Sequence, residues 1–124
     1  MVEFDAIVLA GGRSRRMGRP KLELCLGGQA LLERACGAVA DAHAMVVVGP
    51  PDLADVPPHA LHVTESPRFG GPAVALGAGV SALTAAASTD APAWVAVVAA
   101  DVPRADRVVQ ALRTAAADVG EAVD

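Results

Sequence analysis

The sequence predicts a doubly wound α/β domain: a mostly parallel sheet with helices on both faces. Three observations predict it. Apolar runs at Ala6–Ala10, Met45–Val48 and Trp94–Ala100 show no polar–apolar alternation, as expected of strands covered on both faces. Stretches patterned for helices separate these runs, and strand–helix alternation marks a wound sheet. Glycine-rich, basic or acidic residues follow directly after two of the runs, at the edge where open parallel sheets bind ligands.

Each element follows in order. The first strand is expected over Phe4–Ala10, with a loop carrying the chain to Lys21. Leu22–Leu26 alternates and reads as a short extended piece, closed by a turn at Gly27–Gly28. Ala30–Ala40 reads as a helix with Leu31, Leu32, Ala35 and Val39 on its inner face. Met45–Val48 is a second buried strand, parallel to the first across the helical crossover. Prolines between Pro50 and Pro58 forbid regular structure, and Leu61–Val63 is a short third strand. A helix is expected over Pro72–Ala86, with proline tolerated at its first position. Gly77 and Gly79 weaken that helix, and their small size suits close contact with the sheet. Trp94–Ala100 is a fourth buried strand, and Asp106–Ala117 a last helix.

Length and composition bound the function. A chain of 124 residues has room for one domain, spanning 1–124, but not for two. Its apolar stretches are short and broken by Gly, Pro or charge, so none suits a membrane span. No basic region leads into a long apolar core, so no secretory signal is expected and a cytoplasmic protein is. A net charge of −4 argues against broad nucleic-acid binding. Cys25 and Cys36 are too few and too poorly spaced for a zinc site or redox pair, and read as buried, reduced thiols. His59 and His62 lie between prolines rather than on a helix, which favours a solvated or packed pair over a metal pair. His43 follows a helix and suits its C-terminus.

Positive charge is concentrated after the first strand. Gly11 and Gly12 follow it at once, then come Arg13, Arg15, Arg16, Gly18, Arg19 and Lys21. Glycines let the backbone turn sharply and present its N–H groups, and no Cβ blocks a ligand's approach. A polyanion fits such a loop, and a nucleoside triphosphate fits it best. A Walker A loop needs lysine directly after its second glycine, but Arg19–Pro20 follow Gly18. The dinucleotide pattern fails as well, because Gly11 and Gly12 are adjacent. Asp101 follows the fourth strand and lies on the same edge, where a carboxylate can hold Mg²⁺ beside phosphates. An Asp there can also simply cap the turn.

Leu9–Lys21 reads L-A-G-G-R-S-R-R-M-G-R-P-K. At every fixed position it resembles L-A-G-G-x-S-x-R-M-G-x-x-K, the signature of the MobA-like nucleotidyltransferases related to molybdenum cofactor guanylyltransferase. The resemblance implies a Rossmann-like nucleotidyltransferase fold. It implies Mg²⁺-dependent transfer of GMP from GTP to a phosphorylated acceptor such as molybdopterin, with release of pyrophosphate. Residue by residue, it implies a nucleotide site of Leu9, Ala10, Gly11, Gly12, Arg13, Ser14, Lys21, Gly49, Glu65, Gly71 and Asp101. Lys21, Arg16 and Asp101 would be catalytic, and Asp101, in the family's D-x-P, would hold the metal. Two segments depart from the pattern. Val74–Ala75 stand where the family carries Ala-Gly, and Glu65 falls about one residue from a family Asp.

The resemblance covers the N-terminal two-thirds of the family. The C-terminal part, with a second metal-binding carboxylate and much of the acceptor pocket, would start near Gly120 with a further strand. A fragment, a shortened reading frame or a partner that supplies the rest would each account for that. Three other readings follow. One is a non-catalytic nucleotide-binding module. Another is a cytidylyltransferase of the same family, although those cousins tend to carry L-A-A-G where Leu9–Gly12 reads L-A-G-G. The third, a sugar-phosphate nucleotidyltransferase, has a longer glycine-rich loop and a longer chain.

Overall fold

The computed structural model describes residues 3–10, 15–16, 19–20, 25–26, 29–51, 53, 56–64, 72–86, 92, 94–101 and 104–123. At 15–16, 19–20, 25–26, 29–30, 72 and 120–123 it describes the backbone alone. The sheet is organised by β1 (Phe4–Leu9), which is buried on both faces and paired on both edges. β6 (Met45–Val48) lies parallel on one side and β8 (Trp94–Ala99) parallel on the other. β7 (Leu61–Val63) pairs parallel with β6, so the strand order is β7-β6-β1-β8. Chain progress reverses direction across the sheet at β1, which makes the gap between β1 and β8 the topological switch point.

Alternation along β1 sends its side chains into two cores. Phe4, Ala6 and Val8 pack with Met45 and Val47 against α1 (Leu31–Ala38) and α3 (Ala105–Val123). Ile7 packs with Val46 and Val48 against α2 (Pro72–Ala86) on the opposite face. Helices therefore cover both faces, as the apolar runs require. Ile7, Val8, Val46, Val47 and Val48 are wholly excluded from water. Each such side chain stabilises the fold by roughly 1.5–3 kcal/mol. On α1 the expected inner residues Leu31, Leu32, Ala35 and Val39 are all buried, joined by Cys36.

The last strand and last helix differ from expectation. β8 is the outer strand of the described sheet, so its apolar sequence does not mean burial on both faces. Val98 is buried, whereas Trp94, Val95 and Val97 are 39–45% exposed. α3 extends to Val123, through the position where a new strand was expected near Gly120. The helix expected from Ala30 starts at Leu31, because Gln29–Ala30 forms β5, paired antiparallel with β4 (Cys25–Leu26). Inside the expected loop, β2 (Arg15–Arg16) pairs antiparallel with β3 (Arg19–Pro20).

At the amino edge of the sheet, Asp5 is the buried carboxylate of β1. Its Oδ1 accepts the Ala44 N–H at 3.1 Å and lies 3.3 Å from His43 Nδ1. His43 N–H donates to the Phe4 carbonyl at 2.8 Å. His43 thus serves the start of β1 rather than the end of α1, which stops at Ala38. Burying Asp5 in an apolar strand is tolerable because both of these donors meet it.

Gly77 and Gly79 are not equivalent. A Cβ at Gly79 would lie 2.7 Å from Ile7 Cγ2, a rigid branch of a fully buried side chain, while one at Gly77 meets nothing within 4 Å. Gly79→Ala should lower the denaturation midpoint, since overpacking of about 1–3 kcal/mol outweighs a helix-propensity gain of about 1 kcal/mol. Gly77→Ala gains the propensity alone and should raise it. Urea titration of both variants checks the pair, and equal shifts of the same sign would contradict this packing.

Candidate functional site

At the carboxyl edge the strand ends are knitted across all four neighbours. Ala10 N–H donates to the Val48 carbonyl at 2.7 Å, and Ala100 N–H to the Leu9 carbonyl at 2.9 Å. Gly49 N–H donates to the Val63 carbonyl at 2.9 Å. These bonds extend the ladders one residue past the strands. They hold the exit of β1, the turn after β6 and the turn after β8 in one row.

Of the expected site residues that the structure describes, Leu9, Ala10, Gly49 and Asp101 fall on this row, and Arg16 stands apart from it. Leu9 is the last residue of β1 and half-buried, and Ala10 beside it is buried. Gly49 is buried in the turn after β6, where a Cβ would lie 2.9 Å from Leu53 Cδ2 and 3.3 Å from the Ala10 carbonyl oxygen. Absence of a side chain at 49 lets that turn close onto the start of the glycine loop. Asp101 is exposed in the turn after β8, one residue beyond the Ala100–Leu9 hydrogen bond. Arg16 stands in β2 opposite Arg19, described through its backbone. Gly11, Gly12, Arg13, Ser14, Lys21, Glu65 and Gly71 lie outside the described residues.

Two further side chains hold this edge. Thr64 Oγ1 donates to the Gly49 carbonyl at 3.0 Å. His62 Nε2 is 2.9 Å from the Pro50 carbonyl oxygen, which it meets as a donor with its proton on Nε2. His62 is thus a hydrogen-bonding partner of the turn, and His59 is exposed. The signal for Thr64 was its position: a polar residue directly after a strand, on the ligand edge.

A cavity of about 380 Å³ lies elsewhere, between β8 and α3. Phe4, Trp94, Val109 and Leu112 line it, with Arg113. Arg113 is engaged, its Cζ 5.2 Å from the centre of the Phe4 ring and its Nη1 2.8 Å from Asp41 Oδ2. Apolar walls do not suit a triphosphate. Phe4 and Trp94 also begin their strands, at the edge opposite Asp101. The glycine-loop edge has the right chemistry, and this cavity does not.

The sequence matches the model of the MobA-like NTP transferase domain over residues 6–123. The chain belongs to this family. A probable molybdenum cofactor guanylyltransferase of Opitutus terrae is 37% identical over 98 residues, covering 77% of this chain and 46% of the relative. One from Pelotomaculum thermopropionicum is 40% identical over 48 residues, covering 39% and 23%. The molybdenum cofactor guanylyltransferase of Sinorhizobium fredii is 66% identical over 29 residues, covering 23% and 13%. The matched stretches therefore cover less than half of each of these curated relatives. The crystal structure of Rv0371c from Mycobacterium tuberculosis H37Rv superposes with a TM-score of 0.66 at 19% identity, covering 98% of this chain and 62% of that one. That similarity bears on the fold. For the MobA-like chain, the expected doubly wound architecture is the observed one.

Cys36 is buried in α1, and burial pushes its thiol from 9.0 up to about 11. The Cys36 thiol is therefore protonated near neutral pH. Because the folded value is raised, the unfolded thiol ionises first as pH climbs. Stability should be unaffected by this group below pH 9 and fall between about 9 and 11, by roughly 2–3 kcal/mol in total. Comparing the pH dependence of urea denaturation for the native chain and Cys36→Ala isolates that contribution. A Cys36 thiol that reacts with a disulfide reagent at pH 8 without unfolding would contradict its burial.

Proposed function

We propose that this chain provides the nucleotide half of a guanylyltransferase, binding Mg²⁺–GTP for transfer of GMP to a molybdopterin-type acceptor. The observation that carries the reading is the row at the carboxyl edge. The Leu9 carbonyl, two residues before the glycine-rich basic loop, accepts the N–H of Ala100, the residue before Asp101. The names of the relatives supply the reaction class, and L-A-G-G at Leu9–Gly12 favours guanine over the cytidylyl cousins.

In this reaction a phosphate oxygen of the acceptor attacks the α-phosphorus of GTP, the bond to the β-phosphate oxygen breaks, and pyrophosphate leaves. Positioning and charge stabilisation carry most of such a step. Lys21 contacts the phosphates as a point charge, and Arg16 or Arg13 offsets charge on the leaving pyrophosphate. Backbone N–H groups of Gly11 and Gly12, with Ser14, cradle the phosphates, while Gly49, Glu65 and Gly71 face the nucleoside. Asp101 fits a metal role, being an exposed oxygen donor on the ligand edge. When bound there, Mg²⁺ would offset phosphate charge.

A second reading is supported by the coverage of the relatives: a nucleotide-binding module that does not turn over on its own. Pyrophosphate release from GTP, CTP and ATP in the presence of molybdopterin separates the two. Release with GTP preferred supports the transferase, and tight Mg²⁺–GTP binding without release supports the module. Absence of any preference for GTP would sink the guanylyl assignment. Lys21→Ala should weaken Mg²⁺–GTP binding by about 10- to 100-fold, the scale of one charge-assisted hydrogen bond. Asp101→Asn should remove the Mg²⁺ dependence of binding with the fold intact, and native Mg²⁺ dependence in that variant would refute the metal role.

A further inference from the structure

We infer that Thr64 and His62 are positioning residues for the base and ribose of the nucleotide, acting by latching the turn after β6 against the exit of β1. The inference rests on the nucleotide reading above and deepens it.

The turn after β6 is poorly equipped to hold itself. Pro50 and Pro51 have no N–H groups, so two backbone donors are missing where the chain leaves the strand. The end of β7 supplies the bonds instead. Three consecutive residues reach across: His62 Nε2 to the Pro50 carbonyl at 2.9 Å, the Val63 carbonyl from Gly49 N–H at 2.9 Å, and Thr64 Oγ1 to the Gly49 carbonyl at 3.0 Å. Pro50 O also accepts the Leu53 N–H at 3.1 Å, which closes the turn on its far side. The latched residue also lies against Ala10, the residue after β1. Gly49 is buried, and a Cβ there would sit 3.3 Å from the Ala10 carbonyl oxygen. Movement of this turn therefore opens or closes the space beside Ala10.

Strand order says which part of the nucleotide that space serves. Asp101 lies at the end of β8 on one side of β1, while Gly49, His62 and Thr64 lie at the ends of β6 and β7 on the other. Neighbouring strands are about 4.8 Å apart, so the β6 turn is roughly 10 Å across the edge from the end of β8. Phosphates held between the glycine loop and Asp101 leave the nucleoside to extend over β6. The latch shapes the wall it meets there, and it leaves the phosphate cradle alone.

The test compares two probes, Mg²⁺–GTP and Mg²⁺–tripolyphosphate, by calorimetry on the whole chain. Thr64→Val removes the donor of a partly buried bond and His62→Leu the donor of an exposed one. Each should weaken Mg²⁺–GTP binding by about three- to tenfold, the range of one neutral hydrogen bond, with tripolyphosphate affinity unchanged. Thr64→Ser and His62→Gln retain a donor and should recover GTP affinity. A purely structural role would move both probes together, so equal losses for GTP and tripolyphosphate would overturn the inference. So would native GTP affinity in Thr64→Val and His62→Leu. If the native chain binds neither probe, the nucleotide reading fails and takes the latch with it. If it binds GTP and the latch variants do too, the latch alone is wrong.

Discussion

Complete enclosure of β1 is the constraint on which the structure depends. With helices on both faces and a parallel neighbour on each edge, its backbone has nowhere to place an unpaired polar group except at its two ends. Each end meets that demand differently. At the amino end Asp5 enters the apolar layer and is met by Ala44 N–H and His43. At the carboxyl end Leu9 and Ala10 pass their hydrogen bonds to β8 and β6, and the chain then enters the glycine loop. One end is therefore a structural anchor. The other is an edge with its strand termini held in register, ready for chemistry.

Under the proposed function, that division would let a domain of net charge −4 serve a polyanion. Charge is arranged locally rather than globally. Basic residues from Arg13 to Lys21 are concentrated in one loop, and an acidic residue suited to a divalent cation follows the neighbouring strand. Parallel pairing of β1 with β8, whose sequences are some ninety residues apart, sets the strand end before the loop beside the strand end before that acid. Residues on the far side of β1 complete the edge, through the Gly49 turn and its partners on β7.

Much of the fold was legible because the signals were local. Pro72 marked the start of α2, and Met45–Val48 carried a strand signal in four residues that are all buried. Other features depended on tertiary placement. The apolarity of Trp94–Ala99 revealed a strand but not its outer position, so the exposure of Val95 and Val97 was unreadable. Gly77 and Gly79 looked alike, yet two residues turn a helix by about 200°, so only one can face Ile7. The last helix was expected to end at Ala117, but α3 carries on through Gly120, since one glycine costs a helix only about 1 kcal/mol. In the candidate site, Leu9 and Ala10 were legible as the end of the first strand, and Gly49 and Asp101 as residues that follow strands. The bonds from His62 and Thr64 to the Gly49–Pro50 turn were not, because they join segments that only the β6–β7 pairing brings side by side.

Paramagnetic relaxation tests the central claim most directly: that phosphates and metal gather at the carboxyl edge between β1 and β8. With Mn²⁺–GTP added to isotopically labelled protein, the backbone amides of Leu9, Ala10, Ala100 and Asp101 should broaden strongly. Those of Asp5, His43 and Ala44, at the opposite edge, should stay sharp. Broadening centred on the amino edge, or on the cavity beside Phe4 and Trp94, would contradict the assignment of the site.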